Sequence, residues 1–379
     1  YGKSTWDTNF LKDAPVNGDS ATTHIKTLIL RGGNNRSWAR TDNPDATDYT
    51  LDQLYRDTQI AMDGYGSHGT FVQLYLNGVY WGLYNAVERP DEDFAASYGT
   101  GDDTDYFYIN HGFASNGDST RWDYLSTQLV NKDMTVPANY AELQQYLDVQ
   151  GFADYMLLAF WFGQTDWPNN NWFVNSKTTS PTTPARYIAW DGEFSMDRKQ
   201  FGAEPLGAWV HPAFLPGATA DTTLAKLWKA AWANASFRTL FRSRVALQTA
   251  DGGPLSDAAV LARYDKLNSF VQDAVIGESA RWGDALASLG LPLRTRDTDW
   301  KGEVGVMRAL IPGNTARLQA ALHAAGFDVE QPTPTTPTTP TTPTTPTTPT
   351  TPTTPTTPTT PTNPTSTAQD TTEYVPVVP

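Results

Sequence analysis

Asp166 and Asn171 stand five residues apart in Gln164-Thr-Asp-Trp-Pro-Asn-Asn-Asn171, and Asp191 and Glu193 follow in Ile188-Ala-Trp-Asp-Gly-Glu-Phe194. An acid followed at +5 by an amide, with further acids on a later turn, is a layout for phosphoryl transfer. The first acid accepts the proton of an attacking hydroxyl. The amide and the later acid hold a divalent cation against nucleotide phosphates. Carboxylates gathered this closely repel one another unless a cation neutralises them, so the cluster is costly to fold. Taken singly, Asp166 and Asp191 can also do no more than end a helix and a strand.

Several elements must position these groups. Glu142–Gln164 carries Leu, Phe, Tyr and Met at helical spacing, which predicts a buried helix whose carboxyl end delivers Asp166. Trp172-Phe-Val and Arg186–Trp190 predict two short strands, the second placing Asp191 at a strand end. Upstream, Lys26-Thr-Leu-Ile-Leu-Arg31-Gly-Gly is a short β run ending in a glycine turn flanked by Arg31 and Arg36. Its amides could approach a phosphate, although a solvated turn is the simpler reading. Leu51, Leu54, Ile60 and Met62 predict an amphipathic helix over 50–63. Asn77-Gly78 between two β-rich runs predicts a hairpin. After it, Pro90 and the neighbouring acids predict the first turn of a helix. Residues 222–249, 256–279 and 304–325 predict further helices. The expectation is an α+β, two-lobed fold, β-rich first and helical second, changing character near 110–140 with the acid cluster where the halves meet.

Composition narrows the chemistry. The 379 residues contain no cysteine, which excludes disulfides, thiolate metal sites and cysteine nucleophiles, and only five histidines. A net charge of −14 disfavours binding to nucleic-acid phosphates. No apolar run reaches membrane-spanning length. From Pro332 to about Pro364 the chain repeats Thr-Thr-Pro, a composition that predicts an extended polyproline II spacer and matches O-glycosylated stalks. The organisation expected is a domain over 1–330, a stalk over 331–365 and a short tail over 366–379, with self-assembly or surface attachment through the stalk. The stalk, the missing cysteines and the sequons Asn35-Arg-Ser and Asn234-Ala-Ser suit a secreted or surface bacterial protein.

Leu28-Ile-Leu-Arg-Gly-Gly-Asn, Val72–Asp91, the Asp166 loop, Trp190-Asp-Gly-Glu and Glu278-Ser-Ala-Arg-Trp-Gly-Asp together resemble the CotH-type family of atypical protein kinases, from about Tyr1 to Asp328. The resemblance implies a bilobal kinase-like fold and transfer of phosphate from ATP, with Mg²⁺ or Mn²⁺, to protein Ser or Thr. It implies that Asp166 is the catalytic acid and that Asn171 and Asp191 are metal ligands. Glu193 stands where the family commonly has an aspartate, so its part as a third ligand carries one extra methylene. Glu88 takes the place of a glutamate that pairs with a phosphate-holding lysine, or else complements a helix dipole, and Arg31 is placed to contact phosphate. The family's Arg-Gly-x-Ser-Ser turn and its lysine precede the region matching Tyr1, which predicts weak catalysis by this chain. Glu278, Arg281 and Asp284 are expected to form a salt-bridge network. The alternative is a catalytically silent kinase fold serving an extracellular assembly. A carbohydrate-binding module would instead require exposed tryptophans on one face.

Overall fold

The computed structural model describes residues 4–42, 44–178, 183–196 and 207–327. Contacts divide the chain into residues 1–332 and 333–379, and every described residue belongs to the first unit. The expected stalk and tail therefore lie outside the described residues.

The amino-terminal strands β1 (Trp6–Asp7) and β2 (His24–Ile25) form an antiparallel pair. β3 (Leu28–Arg31) leads into helix α1 (Leu51–Asp63), and β4 (Gly69–Leu76) turns into β5 (Val79–Glu88). Asn77 and Gly78 both hold positive φ, 51° and 78°, as a two-residue I′ hairpin requires. The sheet order is β3-β5-β4, all antiparallel, with Arg31 opposite Asn85. Helix α2 (Glu92–Tyr98) starts where Pro90 and the acids predict it, its Phe94 amide donating to the Asp91 side chain at 3.2 Å.

A second, four-stranded antiparallel sheet has the order β7-β6-β8-β9, from β6 (Tyr106–Asn110), β7 (Phe113–Asn116), β8 (Trp172–Lys177) and β9 (Arg186–Ala189). Two of its strands come from residues 106–116 and two from residues 172–189, so one sheet joins segments that the sequence separates by three helices. Between β7 and β8 lie α3 (Thr120–Thr127), α4 (Pro137–Tyr146) and α5 (Val149–Phe162). All of α5 except Gln150 is buried, and a helix apolar all round belongs in a core. Its Phe160 meets Trp228 edge-on at 5.7 Å. Trp228 lies on α6 (Thr223–Ala233), followed by α7 (Ala235–Thr249), α8 (Asp257–Val271), α9 (Val275–Glu278), α10 (Lys301–Leu310) and α11 (Asn314–Ala324).

Four helices expected as single pieces are divided. Leu147 bridges to Ala185 and Asp148 caps α5, which separates α4 from α5. Asn234 caps α7 through a 2.8 Å bond from the Ser236 amide. Ile311-Pro-Gly parts α10 from α11, with Gly313 at φ 81°. α8 ends at Val271, and the short α9 runs on into a π-helical stretch over Ser279–Gly283.

Candidate active site

The site grows from three segments that the sequence keeps far apart. α5 ends in Gly163, which holds φ 56° and releases the chain into the Asp166 loop. β9 ends at Ala189, and Asp191 turns the chain with φ 54° and ψ 55°, a left-handed conformation uncommon for a side-chain-bearing residue. Gly192 has no room for a side chain, because a Cβ there would come within 2.6 Å of the Tyr55 side chain. The two loops are joined directly. Gln164 Nε2 donates to the Asp191 carbonyl at 2.9 Å, and Thr165 Oγ1 donates to the Phe194 carbonyl at 3.0 Å.

Within the first loop, Asn171 also holds positive φ, 68°. Its Nδ2 donates to the Asp166 carbonyl at 2.8 Å and to Asp166 Oδ2 at 3.1 Å, while Asn170 Nδ2 reaches Oδ1 at 3.3 Å. An amide that spends its nitrogen on the neighbouring acid keeps its Oδ1 as an oxygen donor. The sequence spacing of Asp166 and Asn171 thus corresponds to a direct side-chain contact.

The second loop carries a charge network. Arg31, last residue of β3, places Nη2 2.7 Å from Asp191 Oδ1 and 3.2 Å from Glu193 Oε1. Its Nε lies 3.0 Å from Asp52 Oδ2, an ion-pair contact outside hydrogen-bond alignment. Its guanidinium also covers the Trp190 ring at 4.9 Å. Burial would lower the Arg31 pKa, but Asp52, Asp191 and Glu193 outweigh burial and raise it. Burial pushes the Asp191 carboxyl up to about 7, with Arg31 opposing and Asp52 and Glu193 adding to the rise. Asp52 is held below the usual carboxylate range: burial works against this, and Arg56, Arg31 and the Gly192 amide prevail. That amide donates to Asp52 Oδ1 at 2.8 Å, so Asp52 braces the Asp191 turn.

Arg31 and Arg36 are therefore not on a solvated turn. Arg36 is buried and donates to the carbonyls of Glu193 at 2.7 Å and Ser195 at 3.0 Å. Glu193 does not stand as an open metal ligand: it is 4 % exposed, with one carboxylate oxygen bonded to Arg31 and the other accepting from the Asn35 amide at 2.9 Å. Glu88 is occupied elsewhere. Its carboxylate, at the end of β5, bonds to His68 and Tyr98 instead of to a lysine. The acid that faces the cation of the first sheet is Asp52, in the first turn of α1. Sequence reasoning missed Asp52, whose only signal is an acid opening the helix that follows a strand ending in a basic residue.

The donors that remain, Asn171 Oδ1 and the Asp191 oxygen not bonded to Arg31, are of the oxygen type that Mg²⁺ takes, and Mg²⁺ is commonly held by one or two protein oxygens together with phosphates and water. Among the described residues no group of three or more His, Asp and Glu side chains is arranged to hold a metal by itself. The Glu278 motif also differs from expectation. Its carboxylate accepts from Tyr49 and Tyr80 hydroxyls at 2.8 and 2.9 Å and from the Leu83 amide, while Arg281 stacks over Trp81 and Trp282.

The sequence model of the family described as CotH kinase protein matches residues 52–316, more than half of the chain. The chain belongs to that family. The match runs from the first turn of α1 through both loops to the first turn of α11, whereas β3 and Arg31 lie before it. No curated protein sequence matches the chain. The α+β architecture is kinase-like, with α5 leading to the Asp166 loop and β8 and β9 to the Asp191 turn.

Proposed function

We propose that this CotH-family chain transfers the terminal phosphate of ATP to serine or threonine hydroxyls of a protein. The observation that carries the reading is the clamp of Gln164 and Thr165 on the Asp191–Phe194 turn, which fixes the Asp166 loop beside Asp191. Asp166 would accept the proton of the attacking hydroxyl, held in orientation by Asn170 and Asn171. Arg31, steadied by Asp52, would bind phosphate oxygens through a guanidinium whose fork matches them. Asn171 and Asp191 would hold Mg²⁺ or Mn²⁺, which neutralises phosphate charge when bound. Catalysis of this kind rests on positioning and electrostatic stabilisation. The Thr-Thr-Pro repeat, the missing cysteines and the sequence's acidity support a secreted or surface location, with protein and not nucleic acid as partner.

A second reading is a weakly active or silent fold in an extracellular assembly. The ion pairs of Arg31 with Asp191 and Glu193 favour it, because a guanidinium then neutralises the acids that a metal would otherwise neutralise. One experiment separates the two. ATP with Mg²⁺ or Mn²⁺ should raise the thermal midpoint, as any ligand of the folded state does. Labelled phosphate should appear on a protein acceptor, and Asp166→Ala should abolish transfer while keeping the nucleotide-dependent rise. A midpoint indifferent to nucleotide and metal would leave the silent fold as the answer.

A further inference from the structure

The Glu88 carboxylate, displaced from any part in phosphate binding, belongs to a second constellation. Ser20 Oγ lies 2.8 Å from His68 Nε2, and His68 Nδ1 lies 3.0 Å from Glu88 Oε2. The serine is exposed, while His68 and Glu88 are 1 % and 3 % exposed. We propose that Ser20 is a nucleophile activated by His68 and takes acyl groups from small esters in solvent.

The hydrogen bonds favour Nδ1 as the imidazole nitrogen that carries the proton. Tyr98 donates its hydroxyl hydrogen to Glu88 Oε1 at 2.8 Å and accepts from the Thr22 amide at 2.8 Å. Burial, and secondarily Glu88, raise the Tyr98 pKa, so that hydrogen stays in place. The other carboxylate oxygen already accepts the His68 backbone amide at 2.9 Å and is left for Nδ1–H. Tyr98 Oη lies 2.8 Å from the same Nδ1, and the two rings stack at 5.4 Å, which fixes the imidazole plane. Nε2 is then the bare nitrogen, and it faces Ser20 Oγ. The serine's other contact is the Asn17 carbonyl at 2.9 Å, a competing acceptor for the same hydrogen. A nucleophile, a base within hydrogen-bond reach and a third group orienting the base are the elements of an activated serine.

The step balances without a cofactor. Ser20 Oγ adds to the ester carbonyl carbon as its proton passes to His68 Nε2. The carbon–alkoxy bond breaks, and His68 returns the proton to the departing alcohol, leaving acyl-Ser20. Water, deprotonated by His68, then releases the carboxylic acid and restores the serine. Glu88 acts through His68 and is a positioning residue.

The test treats the full chain with a fluorophosphonate, whose phosphorus bonds to the serine oxygen as fluoride leaves, and maps adducts by peptide mass. Ser20 should label roughly 100-fold faster than the exposed Ser115 and Ser288, the scale of general-base assistance. Ser20→Ala should remove that adduct and the initial burst with p-nitrophenyl acetate while leaving nucleotide binding unchanged. His68→Gln should reduce labelling to the rate of the reference serines, provided that its thermal midpoint is retained. Glu88→Gln should slow the labelling of Ser20, and the conservative Glu88→Asp should restore part of the rate, because Glu88 acts by orienting His68. Labelling of Ser20 at the same rate as Ser115 and Ser288 in the unmodified chain overturns the proposal, whatever the variants do.

Discussion

Arg31 carries more of the candidate site than any other single side chain. Its guanidinium stands between Asp52, Asp191 and Glu193, with only 15 % of the side chain exposed. Replacing it by methionine would keep much of the volume and leave those acids without their shared cation. We expect Arg31→Met to cost about 3–5 kcal/mol, the range for stranding a buried ionic partner. Adding Glu193→Gln should recover part of that loss. Denaturant midpoints of the single and double variants check this, and equal midpoints would mean that the network contributes nothing. The contact of Asp166 with Asn171 and the place of Asp191 just after a strand were readable because each is local to one loop. The part of Arg31 was not readable: its partners lie 21, 160 and 162 positions away, and a glycine turn with arginines looks solvated until the fold buries it.

At the scale of elements, α1 is the example of a helix whose period misleads. Leu51, Leu54, Ile60 and Met62 predict one apolar stripe, yet Asp52, Gln53, Arg56, Asp57, Thr58 and Gln59 are buried as well. All of these but Thr58, which bonds back to the Leu54 carbonyl, bond to other parts of the chain. Gln59 Nε2 donates to the Tyr187 carbonyl at 2.8 Å, and its Oε1 accepts the Ala189 amide at 2.7 Å, completing the outer edge of β9. Gln59→Ala would leave both backbone groups without partners, at about 1–3 kcal/mol each. The variant should lower the denaturation midpoint and loosen the Asp191 turn two residues on, so nucleotide binding should weaken with it. Unchanged amide exchange at Ala189 would show that α1 does not hold that edge. The divided helices follow the same logic. Asn234 read as a glycan acceptor, but its Nδ2 is buried and donates to the Met134 carbonyl at 2.7 Å while its Oδ1 caps α7. We expect Asn234→Ala to cost about 1–2 kcal/mol through the lost cap. The folded chain should carry no glycan there, which peptide mass can check. The hairpin at Asn77-Gly78, in contrast, is legible because its chemistry is confined to the turn.

Across the whole molecule, the ionisable groups in the core oppose one another in sign. Asp52 is held below its ordinary value, so what it contributes is present above that value and is lost as pH falls through its folded pKa. Asp57 runs the other way. Burial raises it from 3.8 to about 7, against Arg56, Gln53 and the nearby His68 and Arg263, and its Oδ2 has no hydrogen-bond partner. Between those two values the folded chain keeps a proton that the unfolded chain has released, so stability falls as pH rises from about 4 to about 7. At 1.36 kcal/mol per pKa unit, the loss is on the order of a few kcal/mol. Asp63, also raised to about 7 chiefly by burial, acts in the same direction. The fold should therefore be firmest in mildly acidic solution. Asp57→Asn removes the titration while keeping the shape. It should raise stability at pH 8 by about 1–3 kcal/mol and change little near pH 4. Urea denaturation of both chains across pH 4 to 8 provides the check. Parallel curves would mean that Asp57 titrates alike in the folded and unfolded chains, and the acid preference of the molecule would then need another source.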